Sequence, residues 1–76
     1  MSDVRLSVRP SGPGWQVDCE INSQPLMFMS GAKAEAQAHA LAKVIASTGS
    51  GAQVEVQDRG EKIIGSTRYR AEQQYA

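Results

Sequence analysis

Trp15-Gln16-Val17-Asp18-Cys19-Glu20-Ile21 alternates apolar and polar side chains without a break, directly after the turn-rich run Pro10-Ser11-Gly12-Pro13-Gly14. A strand points successive side chains to opposite faces, so the stretch reads as a half-buried strand leaving a tight turn. One dry face and one wet face imply an open sheet. The residues before the turn obey the same rule, with Val4, Leu6 and Val8 on one side and Arg5, Ser7 and Arg9 on the other. Pro10 is expected to end that first strand, and Ser-Gly-Pro-Gly supplies the turn of a hairpin.

On the far side of the alternating stretch, Asn22-Ser23-Gln24-Pro25 signals a second turn, and Leu26-Met27-Phe28-Met29 a short third strand that is apolar on both faces. Ser30 then offers a helix N-cap, its hydroxyl able to accept from a backbone N–H that has no helical partner. Residues 32–47 hold seven alanines with Leu41, Val44 and Ile45, and most of these residues are good helix formers. Ala34, Ala38, Leu41, Ala42 and Ile45 recur at helical spacing and define the core-facing stripe. The stripe is mostly small, which lets the helix axis lie close to a sheet. Thr48-Gly49-Ser50-Gly51 ends the helix, with Gly49 the natural left-handed residue.

Val54 and Val56 alternate with Gln53, Glu55 and Gln57 in a fourth strand. Asp58-Arg59-Gly60-Glu61 reads as a turn with Gly60 at positive φ, and Lys62-Ile63-Ile64-Gly65-Ser66 as a fifth strand. Arg68 to Ala76 are polar without a clear period, the pattern of a frayed tail. The expected architecture is α+β: a two-layer, mostly antiparallel sheet with one helix packed on one face, in the order β-β-β-α-β-β. Residues 1–67 form the single compact domain and 68–76 the tail. One helix covers one sheet face, so the other must be wet, as Arg5, Ser7, Arg9, Gln16, Asp18, Glu20, Gln53, Glu55 and Gln57 allow.

Val8-Arg9-Pro10, Gly14-Trp15-Gln16-Val17, Lys33-Ala34-Glu35-Ala36 and Asp58-Arg59-Gly60 form an ordered set of landmarks. In order and approximate spacing this set resembles the bacterial family known as domain of unknown function 2188, across residues 4–67. The resemblance implies a small β-β-β-α-β-β-like bacterial domain, with no established activity and no catalytic residues to carry over. Gly31-Ala32 departs from that family's pattern, where a Thr-type cap more often precedes the lysine. The landmarks have structural roles ready: Gly14 and Gly60 in turns, and Trp15 as a large apolar surface of about 150–250 Å² in a domain short of core.

Seventy-six residues with eight basic and eight acidic side chains make one small domain without a global field toward nucleic acid or anionic lipid. Cys19 is the sole cysteine and lies in the apolar register, so it reads as a small buried hydrophobe rather than a reactive thiol. The N-terminus alternates like a strand and lacks the apolar core of a signal peptide, and no apolar run is long enough for a bilayer. A reducing, cytoplasmic setting is expected, without membrane association.

Catalytic chemistry finds little to stand on. Glu35, His39 and Lys43 line one helix face off the apolar stripe, which reads as a solvated charged face. No Gly-x-Ser-x-Gly elbow is present. Ser47-Thr48-Gly49-Ser50-Gly51 follows a helix, the wrong polarity for a phosphate loop. No catalytic residue, cofactor or metal is expected, and the chain reads as a non-enzyme.

Two features suggest binding. Met27 and Met29 project from strand three on the side away from Leu26 and Phe28, as an adaptable contact surface with Arg5 and Arg9 beside it. The favoured function is an interaction module that takes a protein partner or a second copy of itself, as a homodimer through strand three or the bare sheet face. The alternative is a sequence-tolerant nucleic-acid binder, its basic strip made of Arg5, Arg9, Lys62, Arg68, Tyr69 and Arg70. Asp18, Glu20 and Glu55 on the same face dilute that field.

Overall fold

The computed structural model describes residues 3–22 and 24–71. Its elements follow the expected order: β1 (Val4–Ser11), β2 (Gly14–Cys19), β3 (Leu26–Phe28), α1 (Gly31–Ser47), β4 (Ala52–Gln57) and β5 (Ile63–Tyr69). The five strands form one sheet in the order β3-β2-β1-β4-β5, with α1 packed on one face. β1–β2, β2–β3 and β4–β5 are antiparallel, whereas the central pair β1–β4 is parallel. The fold is therefore α+β, and α1 is the crossover that carries the chain from the β3 edge over β2 and β1 to β4.

The alternation in the sequence sets the layers. Leu6, Val8, Val17, Cys19, Ala52, Val54 and Val56 are buried from the sheet side, and Ala34, Ala38, Ala42 and Ala46 from the helix side. Leu41 and Ile45, also placed on the core-facing stripe, are half-buried and flank the cluster with Trp15, Phe28, Val4 and Tyr69. Because every fully buried helix position is alanine, the helix backbone approaches the sheet closely and valines fill the gap.

The helix caps follow the sequence. The Ser30 Oγ accepts from the Lys33 N–H at 3.4 Å. At the other end Gly49 has φ of 100°, its N–H donates to the Ala46 carbonyl, and the Ser50 N–H donates to that of Ile45. These two bonds close a Schellman motif, which satisfies carbonyls that the helix leaves unpaired.

Several boundaries differ from the sequence reading. β1 continues through Pro10 to Ser11, because Pro10 pairs with Trp15 at a ladder position where N–H groups point away from β2. On that side β4 has already ended its pairing at Val8, so the missing donor costs no bond. β2 stops at Cys19 rather than Ile21. The Glu20 carboxylate accepts from the Arg5 N–H at 2.9 Å, taking the place of a strand carbonyl, and the Asn22 N–H turns back to the Cys19 carbonyl. Ile21 is consequently 65 % exposed.

The turn before β5 also differs. Gly60 does not carry the positive φ; Glu61 does, at 63°. Asp58 organises the turn, its Oδ1 accepting from the N–H groups of Gly60 and Lys62 at 2.8 and 3.0 Å. β5 runs to Tyr69, so the domain boundary drawn at residue 67 falls inside the strand, and Arg68 and Tyr69 belong to the sheet. Residues 72–76 of the expected tail lie outside the described residues, as does Ser23 in the second turn.

Candidate functional site

The open sheet face carries the polar residues that its strand register assigns to it. Arg9 Nε lies 2.7 Å from Asp18 Oδ2, and Arg5 Nε 3.3 Å from Glu55 Oε1. Gln16 Nε2 donates to both Asp18 carboxylate oxygens at 2.9 and 3.1 Å, and Gln53 Nε2 donates to Ser66 Oγ at 3.0 Å. Arg68, opposite Gln53 in the ladder, pairs with Asp3 at 2.8 Å. These neighbours complement one another, since opposite charges on adjacent strands attract at short range. Arg5, Arg9 and Arg68 thus each face a carboxylate of the same chain, which cancels much of the field that a phosphate backbone would need.

The basic strip is further divided by the register. Tyr69 lies opposite Ala52 on the helix side of β5, and its hydroxyl shares a 2.7 Å hydrogen bond with Nδ1 of His39, the rings meeting edge to face. It is therefore not in line with Arg5, Arg9 and Arg68. The same bond revises His39, which is half-buried and pins α1 to the end of β5 rather than joining a fully solvated face. Lys62 and Arg70 are exposed at opposite ends of β5.

Arg59, placed in a turn by the sequence, has a structural post. Its guanidinium donates to the carbonyls of Gly12 and Pro13 at 3.1 and 3.4 Å and lies 5.3 Å from the centre of the Trp15 ring system. Parallel β1 and β4 end on the same side of the sheet, so this arginine ties the two hairpin turns together and stacks on the indole. No local sequence signal could have found it, because the partners are more than forty residues apart.

The β3 rim holds Met27 and Met29. Met27 lies opposite Gln16 on the open face, whereas Phe28 lies opposite Trp15 on the helix face. Met27 is 58 % and Met29 82 % exposed, with Leu26 39 % exposed beside them. Tyr69 sits on the far edge strand and covers neither methionine. Behind the rim is a shallow groove of about 180 Å³ lined by Ser11, Pro13, Gly14, Met27, Phe28 and Met29. Gly14 lets β3 approach, since a Cβ there would sit 2.6 Å from the Phe28 carbonyl oxygen. Gly31 does the same for the indole, as a Cβ would sit 3.0 Å from Trp15 Cε2. Arg5 and Arg9, expected beside the methionines, are on β1, separated from β3 by β2, and are engaged with Glu55 and Asp18.

A larger cleft of about 450 Å³ opens at the opposite end of the sheet, lined by Asp3, Gly49, Ser50, Gly51, Arg68, Arg70 and Ala71. Asp3 already holds Arg68, and the negative end of α1 points toward this cleft, so it does not favour an anion. Among the described residues no group of three or more His, Cys, Asp or Glu side chains is placed to hold a metal ion. Cys19 is buried and forms no disulfide. No helix of the described residues is long and apolar enough to cross a membrane. The chain matches no family model, no curated protein and no solved structure.

Proposed function

We propose that this protein is a non-enzymatic interaction module of the cytoplasm that binds another polypeptide at the β3 rim. The observation that carries the reading is the exposure of Met27 on a short edge strand and of Met29 just after it, above a small apolar groove. Flexible thioether side chains repack against varied apolar surfaces, and contiguous exposed apolar residues mark contact sites. The likeness to the domain of unknown function 2188 family is part of this proposal and adds a bacterial setting without adding a catalytic role.

The double substitution Met27→Gln, Met29→Gln tests it by affinity capture. The expected result is loss of the species retained by the wild-type chain, with an unchanged circular dichroism spectrum. Identical sets of bound species, and an identical oligomeric state, would overturn the reading.

A further inference from the structure

We infer that the polypeptide bound at the β3 rim is a second copy of this chain, joined by antiparallel pairing of the two β3 edges about a two-fold axis at Met27. The inference rests on the interaction-module reading and names its partner. It follows first from the hydrogen-bond phase of the sheet. Ser11 and Gly14 close a two-residue hairpin, and the Glu20 N–H donates to the Arg5 carbonyl. Gly14, Gln16, Asp18 and Glu20 therefore aim their backbone groups at β1, and Trp15 and Val17 aim theirs at β3. Trp15 pairs with Phe28 and Val17 with Leu26, so the N–H and carbonyl of Met27 point outward from the molecule. A second β3 running antiparallel accepts from and donates to that residue.

The side chains support the same register. A two-fold axis at Met27 sets Met27 against Met27 on the open face and Leu26 against Phe28 on the helix face. Leu26, 39 % exposed beside Val17 of its own chain, thereby gains an apolar neighbour on its outer side as well. A residue near a two-fold axis meets its own copy, so any charge there repels itself. From Ile21 to Ala32 the sequence carries no charged residue. The opposite edge is built the other way. β5 carries Arg68, and Lys62 and Arg70 flank its ends, so a second copy paired there brings like charges together, which is destabilising. Cations are a common guard of edges that must stay unpaired. β5 has them and β3 does not.

Sedimentation equilibrium over protein concentrations up to about 1 mM tests the inference. The expected mass rises toward twice the 8.2 kDa of one chain. Met27→Pro deletes the outward N–H, Met27→Lys places two ammonium groups at the axis, and each is expected to hold the chain at the monomer mass. Isotope-filtered nuclear Overhauser spectra of a mixed labelled and unlabelled sample supply a readout that needs no variant: contacts between Leu26 of one copy and Phe28 of the other are expected. A wild-type chain that stays monomeric overturns the second copy as partner; the module reading is then decided separately by the Met27→Gln, Met29→Gln capture. A dimer without the Leu26–Phe28 contacts overturns the β3 geometry.

Discussion

Glu61 adopts φ of 63°, a backbone region where the Cβ of an L-residue crowds the following carbonyl, at about 1–2 kcal/mol. The turn imposes this, because Asp58 binds the backbone on both sides of Glu61: its carbonyl accepts from the Glu61 N–H at 3.0 Å, and its own N–H donates to the Lys62 carbonyl at 2.9 Å. Glycine relieves the strain but costs more unfolded-state entropy, about 0.5–1 kcal/mol. Glu61→Gly is accordingly expected to stabilise the fold by about 0.5–1 kcal/mol, read as a higher urea midpoint with unchanged slope. The sequence offers Gly60 as the natural owner of positive φ, one position early. Glycine marks where left-handed backbone is cheap; the hydrogen bonds of Asp58 decide where it is needed.

Among the elements, α1 is the clearest case of local pattern and packing agreeing. Ala38 and Ala42 are fully buried, and their small size sets the distance between helix and sheet. Ala42→Leu must push the two layers apart and is expected to cost about 1–3 kcal/mol. Ala40→Leu, on the exposed side, is expected to stay within about 0.5 kcal/mol of the wild type. Urea unfolding followed by Trp15 fluorescence checks both, and equal costs would contradict the placement of the alanine stripe. The alternation of β1, β2 and β4 was equally readable, as each keeps one apolar face. Strand ends were less so: Pro10 reads as a terminator but sits where its missing N–H has no partner, and Ile21 reads as a core residue although the strand has already turned.

For the whole molecule, charge placement weighs against the nucleic-acid alternative. Eight cations and eight anions leave the net charge at zero, and the ion pairs of Arg5, Arg9 and Arg68 carry that balance down to individual neighbours on the sheet. Each is an exposed pair worth about 0–1 kcal/mol, so their role is less in stability than in cancelling the field that oligonucleotides would follow. A random-sequence oligonucleotide titrated at about 0.15 M salt is expected to leave the amide spectrum unchanged. Salt-reversible shifts at Arg5, Arg9, Lys62 and Arg68 to Arg70 would instead restore the nucleic-acid reading.

The candidate site was only partly legible. Met27 and Met29 could be singled out because a strand apolar on both faces cannot bury both under one helix. Arg5 and Arg9 could be placed on the wet face by parity, but the carboxylates that occupy them lie on neighbouring strands. The chain by itself determined the element order, the face that β1, β2 and β4 bury and the caps of α1, because all three depend on residues at most a few positions apart. Tertiary structure alone decided the parallel pairing of β1 with β4, the β3-β2-β1-β4-β5 order, the Arg59 bridge between two turns and the His39–Tyr69 bond. Those contacts join segments distant along the chain, and which of them form depends on how one helix of small residues settles across the whole sheet.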